Sequence, residues 1–90
     1  MKTLVLGATT NKDRYAYKAI HNLVGKSHQV VAIGLKKGMA LDVQIETEKI
    51  PFHGIDTITL YLNAVNQREY YDYIISLNPR RVIFNPGTEN

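Results

Sequence analysis

Short β-prone runs alternate along the chain with segments of helical periodicity, and this alternation most restricts the folds that the chain can adopt. The runs cover residues 2–7 (KTLVLG), 29–33 (QVVAI), 57–62 (TITLYL) and 81–85 (RVIFN). They are dense in apolar and β-branched residues, which is typical of strands buried in a parallel sheet. The chain is therefore expected to combine strands and helices in alternation.

Two segments between these runs have the spacing of amphipathic helices. The first ends at Gly25, which stands where a C-terminal cap glycine is expected. The second begins with a pattern that resembles a capping box, Asn66 followed by Glu69. It is expected to end near Asn78, because Pro79 restricts the residue before it.

The resulting order is β-α-β-(β)-β-α-β, with Val43 and Ile45 forming a short additional strand. This order predicts a Rossmann-like open parallel sheet of four to five strands with flanking helices. One domain covers residues 1–90, because a chain of this length forms a single small core. Two helices cover the two faces incompletely. One face is therefore expected to be exposed, or to be covered by a second copy, a partner or residues beyond an incomplete C-terminus.

Composition excludes several classes of protein. A hydrophobic share of 44% and a charged share of 21% are those of an ordinary globular chain. The chain has no cysteine, which fits a reducing cytoplasm. No segment approaches the roughly 20 apolar residues of a membrane span. A net charge of +3 favours anionic ligands but is too small to indicate nucleic acid.

The loop at residues 8–13 leads from the first strand into the first helix, where backbone amides and the helix dipole favour a phosphate. Gly7 permits a tight turn, Thr9 and Thr10 offer hydroxyl groups, and Arg14 can donate a bidentate contact. The alternative is an ordinary turn in which Arg14 is solvated and a polar loop residue caps the helix.

A dinucleotide fingerprint is absent, since the next glycine after Gly7 is Gly25. The second strand is followed by Lys36 and Lys37, where a site for an unphosphorylated dinucleotide would carry an acidic residue. Two cations there suit a ribose that bears a phosphate, as in the phosphorylated nicotinamide cofactor and coenzyme A. The alternative is a pair of solvated lysines.

Catalytic machinery is not evident in the sequence. The three histidines lack metal-ligand spacing, and Ser27 and Ser76 have no plausible base with an orienting carboxylate. The tyrosines near residue 70 have helical spacing, which favours core and rim positions over a nucleic-acid stacking platform. These observations favour a binding module over an enzyme.

Four segments together, LVLGATTNKDRYAYKAI, GLKKG, DTITLYLNA and RVIFNPGTEN, resemble the small stand-alone CoA-binding domain proteins of bacterial type. Those proteins are similar to the CoA-binding domain of the succinyl-CoA ligase alpha subunit. The resemblance covers nearly the whole chain and implies a sheet that binds coenzyme A or an acyl-CoA across its strand ends. Ligase activity is not implied, because the phosphorylated histidine of the ligase belongs to a second domain.

The resemblance also implies which residues bind the ligand. They follow four strand ends: Gly7, Ala8, Thr9, Thr10 and Arg14; Lys36, Lys37 and Gly38; Tyr61, Leu62 and Asn63; and Asn85, Pro86 and Gly87. The first group is expected at the pantetheine and phosphate portion and the second at the adenosine end. Many relatives have an asparagine-proline pair where this chain has Leu35 and Lys36, and they continue past GTEN with a helix and a further strand.

Three hypotheses of function follow. The leading one is a non-catalytic module that binds coenzyme A or an acyl-CoA. The second is a domain of an enzyme that uses the phosphorylated nicotinamide cofactor. The third is an assembly or partner-binding domain with a vestigial ligand site, in which the open sheet face makes the contacts.

Overall fold

Six strands form one sheet in the computed structural model, which describes residues 1–85 of the chain. The strands are β1 (Lys2–Ala8), β2 (Gln29–Gly34), β3 (Gly38–Ala40), β4 (Val43–Glu46), β5 (Thr57–Leu60) and β6 (Arg81–Phe84). The helices are α1 (Tyr15–Gly25), α2 (Ala64–Arg68) and α3 (Tyr71–Leu77). The strand order is β3-β4-β2-β1-β5-β6, and each pair is parallel except β3 and β4. The predicted fold class, a mostly parallel α/β sheet with flanking helices, is confirmed.

The predicted count of four to five strands is one too low, because the sequence gives no sign of β3. This strand is three residues long and pairs antiparallel with β4, Ala40 lying opposite Val43. The turn between them places Leu41 at φ 56, in the left-handed region. Leucine rarely adopts this conformation. Most tight hairpins carry glycine or asparagine there, so the sequence of this turn does not indicate a hairpin.

Two apolar clusters cover the two faces of the sheet. On one face α1 packs Ala16 and Ile20 against Val5, Ala32 and Ile45. On the other face the buried residues of α3 pack against the remaining core of the sheet: Tyr73, Ile74, Leu4, Leu6, Ile33, Ile58 and Leu60. Adjacent residues of β1 therefore point into different clusters, which explains why Leu4, Val5 and Leu6 are all apolar.

The predicted helix ends differ from those in the structure. Gly25 is the last residue of α1 rather than its cap glycine, and Ser27 takes the left-handed conformation at φ 62. Asn66 is not the cap of the next helix. The cap is Asn63, whose side-chain oxygen accepts a hydrogen bond of 2.9 Å from the backbone amide of Asn66. The predicted stop at Asn78 is confirmed, since this residue ends α3 at φ 50.

The long connection between β4 and β5 is fastened to α3. The Tyr73 hydroxyl donates to the carbonyl oxygen of Ile50, and Lys49 Nζ lies 5.2 Å from the centre of the Tyr70 ring. Burial raises the pKa of Tyr73 from its ordinary 10.0 to about 12, and the neighbouring Tyr70 adds to the shift. Tyr70 and Tyr73 thus belong to the core and its rim, as their helical spacing predicts, while Tyr71 is exposed.

The face of the sheet that carries α1 is only partly covered. Helix α1 packs against β1, β2 and β3 and leaves β5 and β6 beside it. Ile83 of β6 is 38% exposed, and Phe84 on the opposite face of the same strand is 54% exposed. Among residues 1–85, both faces of β6 thus carry exposed apolar side chains, and whether other residues or a partner cover them stays an expectation. Within residues 1–85, no helix is long and apolar enough to cross a membrane.

Candidate ligand-binding site

A cavity of about 250 Å³ lies at the carboxyl ends of three adjacent strands, β2, β1 and β5. The residues that line it are Gly7, Ala8, Thr9, Thr10, Asn11, Arg14, Leu35, Lys36, Leu62 and Asn66. The chain runs from β1 to β2 in one direction and later adds β5 on the other side of β1. The cavity therefore lies at the point where the strand order reverses, which is where open α/β sheets bind their ligands.

Close packing of backbone forms the floor of the cavity. Gly7 has φ 91, and the pairing of β1 with β2 shifts register between Leu6 and Ala8. A Cβ on Gly34 would lie 2.2 Å from the carbonyl oxygen of Ala8. Because positions 7 and 34 are both glycine, the first loop can begin directly over the strand ends.

The first loop holds its shape through two local hydrogen bonds. The Thr9 hydroxyl oxygen accepts from the Asn11 amide at 3.1 Å, and the Asn11 side-chain oxygen accepts from the Asp13 amide at 3.0 Å. Neither bond caps α1. Its N-cap residue is Arg14, which makes no side-chain capping bond, and the first turn of α1 contains no acidic residue. No side chain of the N-cap residue or of the first turn therefore neutralises the positive end of the α1 dipole, although Asp13 directly precedes the N-cap.

The lining of the cavity combines cations with apolar groups. Arg14 comes from the first loop and Lys36 from the loop after β2. The part of the lining that lies within residues 1–85 contains no carboxylate. Leu35, whose side chain is 73% exposed, and Leu62 supply apolar surface. This arrangement is suited to a ligand that carries both phosphate groups and an apolar or aromatic portion.

Seven of the predicted site residues line this cavity: Gly7, Ala8, Thr9, Thr10, Arg14, Lys36 and Leu62. Five others do not. Lys37 lies outside the lining, Asn63 caps α2, and Tyr61 and Asn85 line a different cavity beside α1. Gly38 begins β3, where an added Cβ would lie 2.6 Å from the Thr10 methyl carbon. The remaining two predicted residues, Pro86 and Gly87, lie outside the described residues.

Three lining residues were not predicted from the sequence. Asn11 and Leu35 lie next to predicted residues in the same loops. Their positions in those loops could therefore have indicated that they line the site. Asn66 was assigned to capping, and its place in the site follows from the earlier start of α2. No group of histidines and carboxylates within residues 1–85 could hold a metal ion.

A mostly parallel sheet that carries a strand-loop-helix unit at its point of reversal defines a Rossmann-like domain. The comparison with protein families specifies which one. The CoA binding domain family matches residues 1–90, and this chain belongs to that family. The resemblance that the four sequence segments indicated is therefore confirmed.

Solved structures support the fold along the whole chain. One, described as the crystal structure of an uncharacterized protein, is 52% identical, superimposes with a TM-score of 0.92, and is matched over 99% of this chain and 74% of its own. Another, a conserved hypothetical protein from Pyrococcus furiosus, is 16% identical with a TM-score of 0.83, covering 99% of this chain and 78% of its own. Among curated proteins, none matches the sequence.

Proposed function

We propose that the protein is a non-catalytic cytoplasmic module that binds coenzyme A or an acyl-CoA in the cavity at the ends of β1, β2 and β5. The observation that carries this proposal is the convergence of Arg14 and Lys36 on one cavity whose described lining holds no carboxylate. Membership of the CoA binding domain family supports the same ligand.

The residues present fit the chemistry of coenzyme A. Its pyrophosphate would lie against the first loop, where Arg14 and the N-terminus of α1 supply positive charge. Its ribose phosphate would lie near Lys36, and the adenine ring would pack on the exposed side chain of Leu35. Glycine at position 7 keeps the floor free of side-chain atoms there.

The size of the cavity limits what it encloses. A volume of about 250 Å³ lies just below the range of roughly 300–1,000 Å³ that is typical of small-molecule pockets. The cavity would therefore enclose only part of the nucleotide portion, and the rest of the ligand, including the pantetheine arm, would extend along the surface.

Isothermal titration calorimetry tests the proposal. Coenzyme A is titrated into the protein, with dephospho-CoA and the phosphorylated nicotinamide dinucleotide as comparisons. We expect saturable one-to-one binding of coenzyme A, weaker binding of dephospho-CoA, and weaker binding of the dinucleotide. Saturable binding of the dinucleotide without binding of coenzyme A would replace this proposal by a nicotinamide site.

A further inference from the structure

Two glycines bracket the loop that follows β2. Gly34 ends β2 and Gly38 begins β3, and residues 35–37 lie between them. We call these three residues the second loop; two of them, Leu35 and Lys36, line the ligand cavity. All three are exposed, and within residues 1–85 none of their side chains forms a hydrogen bond or an ion pair. The position of the second loop therefore depends on its two ends.

Neither glycine is required by its own backbone conformation. Gly34 and Gly38 both lie in strands, and neither has a positive φ. The backbone at both positions is therefore compatible with a side chain, and a strand that carries one is more stable. Glycine inside a strand often marks a site that another segment approaches closely. The reason for glycine at these positions therefore lies in what approaches them.

The first loop approaches both glycines. A Cβ on Gly34 would lie 2.2 Å from the carbonyl oxygen of Ala8, and a Cβ on Gly38 would lie 2.6 Å from the methyl carbon of Thr10. Non-bonded carbon atoms pack best at about 3.5–4.0 Å, so neither position has room for a side chain. The second loop is thus held against the first loop at both ends, once through backbone and once through a threonine side chain.

The contact at Gly38 sets the spacing between the two loops. Gly38 pairs with Ile45 of β4, which is fully buried, so moving β3 away from the first loop would break this pairing. Thr10 is exposed and is the partner that can yield. A larger residue at position 38 would therefore displace Thr10 relative to the second loop. Since Arg14 directly follows the first loop and Lys36 lies in the second, this displacement changes the spacing of the two cations in the cavity.

We propose that Thr10, packed against Gly38, positions Lys36 for the ribose phosphate and so determines the preference for coenzyme A over dephospho-CoA. This inference rests on the proposed function. Thr10 is a positioning residue here, because its methyl group acts on selectivity through Lys36. A change at the contact should alter the ratio of the two affinities, since only coenzyme A carries the ribose phosphate.

Isothermal titration calorimetry with coenzyme A and dephospho-CoA tests the proposal. We define the selectivity ratio as the affinity for coenzyme A divided by that for dephospho-CoA. Gly38→Ala should lower this ratio by about three- to tenfold, and by no more than Lys36→Ala lowers it. Gly25→Ala adds the same methyl group to α1, where nothing lies within 4 Å of it, and should leave the ratio unchanged. Circular dichroism melts check that each variant is folded.

Two double variants separate positioning from a general structural effect. Thr10→Ser removes the methyl carbon that the added Cβ would meet; the threonine Cβ is 4.0 Å away, an ordinary contact distance. Gly38→Ala in the Thr10→Ser background should therefore leave the ratio at the value of Thr10→Ser alone. Gly38→Ala in the Lys36→Ala background should cause no further fall, because the cation through which Thr10 acts is then absent.

The outcomes distinguish this proposal from the proposed function. A parent protein that binds no coenzyme A would overturn both. If the parent protein prefers coenzyme A and folded Gly38→Ala keeps the parent ratio, the proposed function stands and the positioning role is wrong. Equal affinities of the parent protein for the two ligands would also overturn the positioning role. So would a fall in the ratio that persists in the Thr10→Ser background or adds to that of Lys36→Ala.

Discussion

A Cβ on Gly7 would lie 2.7 Å from the carbonyl oxygen of Tyr61, so the end of β1 touches the chain that leaves β5. The amide of Tyr61 in turn donates to the carbonyl oxygen of Leu6 at 2.8 Å. This contact brings the first loop and the β5 end together beneath the ligand site. The positive φ of Gly7 adds a second reason why only glycine fits.

Gly7→Ala should therefore destabilise the protein by about 1–3 kcal/mol, because the substitution combines a left-handed backbone with a steric clash. The free energy of unfolding in urea measures the effect. Gly25→Ala is the matched control: Gly25 lies in α1 with nothing within 4 Å of its added Cβ. It should stabilise the protein by up to about 1 kcal/mol. Equal effects of the two substitutions would contradict this explanation.

Lys36→Ala should reduce the affinity for coenzyme A by about tenfold, which corresponds to the loss of one charge-assisted contact. Lys37→Ala should change it by less than about twofold, because Lys37 has the same charge but does not line the cavity. The affinity for dephospho-CoA should change little with either substitution. Calorimetry with both ligands separates local contact from net charge, and equal losses in the two variants would reject the assignment of Lys36.

Arg14→Gln should reduce the affinities for coenzyme A and dephospho-CoA by similar factors, on the order of tenfold. The reason is that both ligands contain the pyrophosphate expected at the first loop. Arg68→Gln is the control, since Arg68 is exposed at the end of α2 and outside the cavity lining. The same calorimetric titrations serve. A loss of affinity for coenzyme A alone would indicate that Arg14 contacts the ribose phosphate instead of the pyrophosphate.

Tyr73 should make the protein less stable at high pH. Its pKa is about 12 in the folded protein and near 10.0 when unfolded, so above pH 10 the unfolded chain binds fewer protons than the folded one. The contribution of the buried neutral tyrosine is complete below pH 10 and is lost as the pH rises towards 12. Urea unfolding at a series of pH values measures it.

Tyr73→Phe should reduce this loss at high pH while lowering stability at neutral pH by about 1 kcal/mol, because it removes the hydrogen bond to Ile50. Tyr71→Phe, at an exposed position on the same helix, should do neither. An unchanged slope of stability against pH in Tyr73→Phe would show that another group is responsible.

The sequence predicted the parallel strands because their apolar runs reflect burial on both faces, a property that each run carries locally. It did not predict β3, whose turn uses Leu41 in a conformation that leucine rarely adopts. It also placed the helix cap at Asn66 rather than Asn63, because both asparagines suit a helix start and the contact that distinguishes them depends on where the chain leaves β5.

The candidate site could likewise be predicted only where the signal is local in the sequence. The first loop was predictable as a unit, since strand, glycine and helix follow one another in sequence. Lys36 and Lys37 could not be told apart, because a one-residue step decides which side chain lines the cavity. Asn66 lines the same cavity as the first loop although more than 50 residues separate them in sequence, a long-range relationship without a local signal.

The most direct test of the account is a titration of isotope-labelled protein with coenzyme A, followed by amide chemical shifts. The account predicts saturable shifts concentrated at residues 7–14 and at Leu35 and Lys36, with little change along α3 and β6. Shifts centred on the cavity beside α1, or no saturable change at any amide, would contradict the central claim that the cavity at the ends of β1, β2 and β5 binds coenzyme A.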